Sequence, residues 1–110
     1  MITWSDFEKI DIRVGTIVSA EVFAEARNPA YKLQIDFGEE LGIKRSSAQI
    51  TQLYQPQDLI GKQVAAVINF PVKQIARFFS ECLVLGVLGA NKEVTLLVPD
   101  KPVREGQKIA

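Results

Sequence analysis

Residues 11–22, DIRVGTIVSAEV, run with a period of two for longer than an ordinary strand, and Gly15 lies inside the run. That period commits the segment to an extended chain. It puts Ile12, Val14, Thr16, Val18, Ala20 and Val22 on one side, with Arg13, Ile17, Ser19 and Glu21 on the other. Strands usually span about 5–6 residues, so a strand of this length serves two parts of a sheet. Glycine within a strand marks a bulge or a sharp bend. A small barrel, in which one long strand curls to pair in both halves, meets both conditions.

The rest of the chain supplies the partners. YKLQIDFG, from Tyr31, alternates cleanly, with Tyr31, Leu33, Ile35 and Phe37 inward and Lys32, Gln34 and Asp36 outward. EELG reads as a hairpin connection, and Ile43 begins a third short strand. QVAAVINF and CLVLGVL are apolar runs of strand length, GANKE is a turn, and VTLLVP is a further strand. The tail DKPVREGQKIA is punctuated by Pro102 and Gly106 and ends in a short closing strand. In front, TWSDFEKI predicts a short helix capped by Thr3 or Ser5, with Trp4 and Phe7 on one face. QITQLYQPQDLIG predicts a helical turn, a proline stop and a second turn ended by Gly61.

Bent strands with a short helix between the third and fourth describe an all-β chain, an OB-fold-like five-stranded barrel with a short N-terminal helix. Another small barrel is the next best solution, and a parallel α/β sheet lacks its crossover helices. At 110 residues the chain makes a single domain, 1–110.

Charge and residue usage narrow the function classes. Thirteen basic and thirteen acidic residues cancel, which argues against a general polyanion binder. Their distribution is uneven. From Leu41 to Ser80 five cations (Lys44, Arg45, Lys62, Lys73, Arg77) face one acid, Asp58, so this stretch is +4 and the remainder −4. There is no histidine and one cysteine, Cys82, within an apolar run. A disulfide within the chain, a zinc cluster and a Cys/His or Ser/His catalytic pair are all excluded. No pair of carboxylates is marked by spacing, so the chain is expected not to be an enzyme. No metal is expected without histidine and with one cysteine, and no cofactor is expected, there being no phosphate-binding glycine loop to argue for ATP. The N-terminus lacks a signal-peptide pattern and no apolar run reaches the ~20 residues that span a bilayer. A cytoplasmic protein without membrane insertion is expected.

IKRSSAQIT, from Ile43 to Thr51, sits at the expected strand-to-helix junction. Ser46 and Gln49 have the spacing of a capping box. Lys44 and Arg45 are left unexplained by capping, because a helix N-terminus disfavours cations. Two cations, Ser46, Ser47, Gln49 and free N–H groups would suit an incoming anion or carboxylate. A solvated basic turn accounts for them equally well.

DIRVGTIV, YKLQIDFGEELGIKRSSAQIT, DLIGKQVAAVINFP and SECLVLGV together resemble the tRNA-binding-domain family, along essentially all 110 residues. That family includes the C-terminal domain of bacterial methionyl-tRNA synthetases and the endothelial-monocyte-activating polypeptide domain. SSAQIT and NFP resemble its branch of small bacterial export-related chaperones. The resemblance implies an OB-fold barrel and a homodimer built partly by additions at the chain ends. It also implies binding of unfolded polypeptide or preprotein segments, with relatives that bind tRNA.

The RNA-binding relatives carry an asparagine, a Lys-Met-Arg-Gly element, then serine and a methionine three positions on. In NFPVKQIARFFSECL, Asn69 and Ser80 match that pattern. Gln74, Ala76 and Leu83 replace its lysine, arginine and methionine, while Lys73 and Arg77 keep the charge one residue to either side. FPVKQIARFF, expected as a loop, places Phe70, Phe78 and Phe79 beside Lys73 and Arg77. The candidate surface for peptide or RNA is therefore Lys44, Arg45, Ser46, Ser47, Gln49, Asn69, Phe70, Lys73, Arg77, Phe78, Phe79 and Ser80. Candidate dimer contacts are Trp4, Phe7, Pro102 and Val103, because terminal segments need something to dock against.

Overall fold

A computed structural model describes residues 1–110. Helix α1 (Trp4–Glu8) opens the chain, followed by β1 (Ile12–Val22), β2 (Tyr31–Asp36) and β3 (Ile43–Ala48). Helix α2 (Pro56–Leu59) connects to β4 (Gln63–Val67). Then come β5 (Lys73–Ile75), β6 (Phe78–Ser80), β7 (Leu83–Val84), β8 (Gly86–Leu88) and β9 (Val94–Leu96). One antiparallel sheet of five strands runs β3-β2-β1-β4-β7, and β5-β6 and β8-β9 are separate hairpins. The sheet curls into a nearly closed barrel. Its two edges meet where Glu81 N donates to Arg45 O at 2.7 Å and the Ser46 hydroxyl donates to Cys82 O at 2.8 Å.

β1 serves both halves, as its length requires. Ile12 to Thr16 pair with β4, and Thr16 to Val22 pair with β2. Where β2 has left that edge the C-terminal tail takes its place: Gly106 N donates to Val14 O, Val14 N to Gln107 O and Ile109 N to Ile12 O. The two faces of β1 differ from the sequence expectation. Register with β2 slips between Ile17 and Ser19, so Val18 is a bulge and lies exposed. Ile17 is fully buried in the core and Ala20 packs against the same cluster, whereas Val14 is buried outside it and Val22 is exposed. Gly15 does not mark the bulge. It gives room to the side chains of Ile35 and Phe37, which press onto its backbone.

β2 follows its alternation, with Tyr31, Leu33, Ile35 and Phe37 all buried. They meet Ile17, Val64, Ala66, Ile50 and Leu96 in one core, with Leu59 of α2 beneath them. Two tyrosines stitch the connection after β3 to the barrel. Tyr31 donates to Tyr54 O at 2.6 Å, and the Tyr54 hydroxyl accepts from Leu96 N at 3.0 Å.

Thr3 caps α1 as expected, whereas the capping box expected at Ser46 and Gln49 does not form. Ser46 and Ser47 are strand residues of β3, and no helix begins there. The reciprocal box is Thr3 with Asp6 at α1, and at α2 Gln55 N donates to the Asp58 carboxylate at 3.0 Å. CLVLGVL is divided at Leu85 into β7 and β8, and the expected closing strand is a single bridge between Arg13 and Lys108. FPVKQIARFF is not a loop but the β5-β6 hairpin, turned at Ala76 with φ of 54°.

Candidate ligand-binding groove

Along β3 successive side chains face opposite ways, and this divides the basic cluster. Lys44 lies across from Ile35 and Ser46 across from Leu33, on the side that faces the barrel. Ser46 is 0% exposed with its hydroxyl held by Cys82 O, so a ligand cannot reach it. Arg45 and Ser47 lie on the outer side, opposite Gln34 and Lys32.

Phe78 of the β5-β6 hairpin packs on that outer side. Its ring meets Phe23 edge-on at 5.3 Å between centroids. Arg45 Cζ stands 5.7 Å and Lys32 Nζ 6.0 Å from the same ring, and Lys32 is also 5.4 Å from Phe23. Cations over aromatic faces are attracted by the ring quadrupole. This cluster attaches the hairpin to the barrel. Lys32 and Phe23 were absent from the expected surface, because nothing near them in sequence reveals a partner as distant as Phe78.

Between β3 and the hairpin runs a groove of about 400 Å³. Five expected residues line it: Ser47, Gln49, Phe70, Lys73 and Ser80. Its apolar lining is Ala48, Ile50, Pro71, Ile75, Leu83, Val84 and Val94, and Glu81 and Cys82 complete it. Lys73 has no ion-pair partner, while Arg45 is paired with Glu81 at 3.4 Å. The groove therefore offers one free cation above an apolar floor.

The other expected residues lie apart from the groove. Arg77 is exposed at the hairpin turn, and Phe79, opposite Gln74, faces away from the barrel and is 41% exposed. Asn69 is occupied: its amide accepts from Asp11 N at 2.9 Å and donates to Lys9 O at 2.8 Å. These two bonds pin the entry of β1 and hold Asn69 away from the groove lining. Val103 is clamped by Gln63 through both backbone groups, at 2.7 and 3.0 Å, beside the exposed Pro102. Trp4 is 85% exposed, and with Ile2, Phe7 and Ala110 it borders an apolar hollow where the two chain ends meet.

Cys82 is a buried residue of the groove wall, and burial pushes its thiol up to about 11. The folded protein keeps this thiol neutral, whereas an unfolded chain ionises it near its ordinary value of 9.0. Folding stability is therefore highest below that value and falls as pH rises toward the folded one. The urea midpoint of the protein should decline across this window relative to Cys82→Ala. Parallel curves for the two proteins would contradict it.

No helix is long and apolar enough to cross a membrane. Residues 12–108 match the family described as "Putative tRNA binding domain". The chaperone CsaA from Bacillus anthracis str. Ames has a similar structure, with a TM-score of 0.95 and 53% identity over 100% of this chain and 99% of that one. The CsaA chaperone protein from Picrophilus torridus is 55% identical with a TM-score of 0.94, covering 100% of both chains. A methionine–tRNA ligase from Methanococcoides burtonii is 39% identical over 106 residues, 96% of this chain. This chain spans only 15% of that ligase's length. By the match to residues 12–108 and the likeness along its whole length, the chain belongs to the tRNA-binding-domain family.

Proposed function

We propose that the protein is a non-enzymatic, cytoplasmic, export-related chaperone that binds unfolded polypeptide or preprotein segments in this groove as a homodimer. The observation that carries the reading is the groove itself: an apolar floor, one unpaired cation in Lys73, and polar rim groups from Ser47, Gln49 and Ser80. The full-length likeness to two CsaA chaperones supports it. Covering ~200 Å² of apolar peptide surface contributes about 5 kcal/mol. Association costs of roughly 4–15 kcal/mol offset most of that. Binding to one groove is therefore weak, and two grooves joined in a dimer strengthen it through effective concentration. Weak, plural and sequence-tolerant contacts suit a protein that holds unfolded chains and releases them without ATP.

Titration of a labelled unfolded preprotein tests this. Phe70→Ala should weaken binding by roughly tenfold, about the loss expected for a large ring on an apolar contact. Equal affinity for wild type and variant would dismiss the groove. A second reading, tRNA binding, is supported by the family and the methionine–tRNA ligase relatives. It predicts that tRNA competes with the preprotein, with an affinity that falls steeply with salt. Gln74 and Ala76 in place of lysine and arginine weigh against it.

For the homodimer, the hollow formed by Ile2, Trp4, Phe7 and Ala110 is the contact we infer, since an exposed apolar patch of this kind marks an interface. Sedimentation should give a dimer for wild type and a monomer for Trp4→Glu. A wild-type monomer at micromolar concentration would refute it.

A further inference from the structure

The groove begins where the sheet runs out of backbone partners. The sheet ends on β3 at one edge and on β7 at the other, and the two edges face each other across a seam. At Arg45 the seam is fully bonded: its carbonyl accepts from Glu81 N at 2.7 Å, and its N–H donates to the Glu81 carboxylate at 2.9 Å. Two residues on, Ser47 N finds only the Ser80 hydroxyl, at 3.1 Å. Two residues further, neither the N–H nor the C=O of Gln49 has a partner within the chain. The bonding thus declines in strand-like steps from backbone to side chain to nothing, and Gln49 stands on the lining of the groove. A row of unpaired edge groups is a template for another strand.

We propose that the groove takes its polypeptide as an added strand, hydrogen-bonded to the main chain of Gln49, with alternate side chains directed onto Ile50, Leu83 and Val84. This rests on the reading of the groove as a polypeptide site. The ligand class follows from the donors and acceptors on offer. A free N–H and a free C=O on one residue match an extended peptide main chain, which brings one acceptor and one donor per turn of its pleat. RNA carries donors on its 2′-hydroxyls and base edges, but its phosphate backbone brings acceptors only and does not repeat the paired donor and acceptor of a peptide main chain. Main-chain pairing is blind to side-chain identity, so it also supplies sequence tolerance. The segment must be extended, apolar at every second residue, and free of proline at the amide that meets Gln49.

An N-methyl scan of the ligand tests this on the full-length protein. A short, soluble, labelled peptide of alternating apolar and polar residues is titrated first, and then each of its amides is methylated in turn. Methylation of the one amide that meets Gln49 should weaken binding roughly fivefold or more, and methylation of the others should not. That single sensitive position is the expected result. A flat profile, with the parent peptide still bound, overturns strand addition and leaves polypeptide binding standing. Failure of the parent to bind, with tRNA bound instead, overturns the groove reading and strand addition with it.

Discussion

Gly15→Val should cost the protein about 3 kcal/mol or more and leave it partly unfolded at ordinary temperature. The cause is space rather than backbone freedom. A Cβ at this position would stand 2.5 Å from Ile35 Cγ2 and 2.8 Å from two ring carbons of Phe37. Both neighbours are fully buried, so neither has an empty volume to move into. Even Gly15→Ala carries this clash, and valine adds two methyl groups to it. Val18→Thr, three residues away, should by contrast shift stability by less than about 0.5 kcal/mol, because Val18 is an exposed bulge residue. Urea denaturation of the two variants decides the matter. Equal midpoints would mean that Gly15 is not the point on which the core closes.

That contrast shows what the sequence could reveal about the barrel and what it hid. β2 was legible because one of its faces is wholly buried, and Tyr31, Leu33, Ile35 and Phe37 alternate without interruption. β1 was legible as a long strand serving two halves, but not in its faces. The bulge at Val18 inserts one residue into a period of two, and Gly15, with no side chain, leaves no mark of the face it lines. Ser46 and Gln49 imitate a capping box by spacing alone. Strand pairing with Leu33 overrides it, while Thr3 with Asp6 makes the real one.

The groove was half legible. Ser47, Gln49, Phe70, Lys73 and Ser80 were drawn from two segments, and the fold brings them together. Lys44 and Arg45 were read as one basic pair, yet in a strand neighbours point to opposite faces. Asn69 fits the family pattern by position, but its amide bonds Lys9 and Asp11 at the entry of β1, away from the groove lining. Glu81 neutralises Arg45 across the seam, a contact that needs the barrel to close before it exists. The forty-residue surplus of positive charge is therefore not one surface. Of its cations only Lys73 lies on the groove.

Phe78→Ala should then abolish most polypeptide binding without unfolding the barrel, although Phe78 does not line the groove. A two-stranded hairpin of this size is not stable on its own in water. The β5-β6 hairpin depends on Phe78 against Phe23, on the two cations over that ring, and on the bond from Ser47 N to Ser80 Oγ. Removing the ring deletes the first two together. Lys73, Ile75 and Ser80 then leave the groove as a unit, so one wall is lost rather than one contact. Affinity for an unfolded preprotein should fall by more than roughly tenfold, since the lost wall is worth more than the ~1.4 kcal/mol that a factor of ten represents. The barrel core does not include Phe78, so the main unfolding transition should move little. Phe79→Ala provides the control: that ring faces away from the barrel and its loss should leave binding within about twofold. Hydrogen exchange should show faster amides in residues 73–80 of Phe78→Ala and unchanged ones in β1 and β2. If Phe78→Ala binds as wild type does while its hairpin amides exchange freely, the hairpin is not a wall of the ligand site, and the ligand is held by β3 and β7 alone.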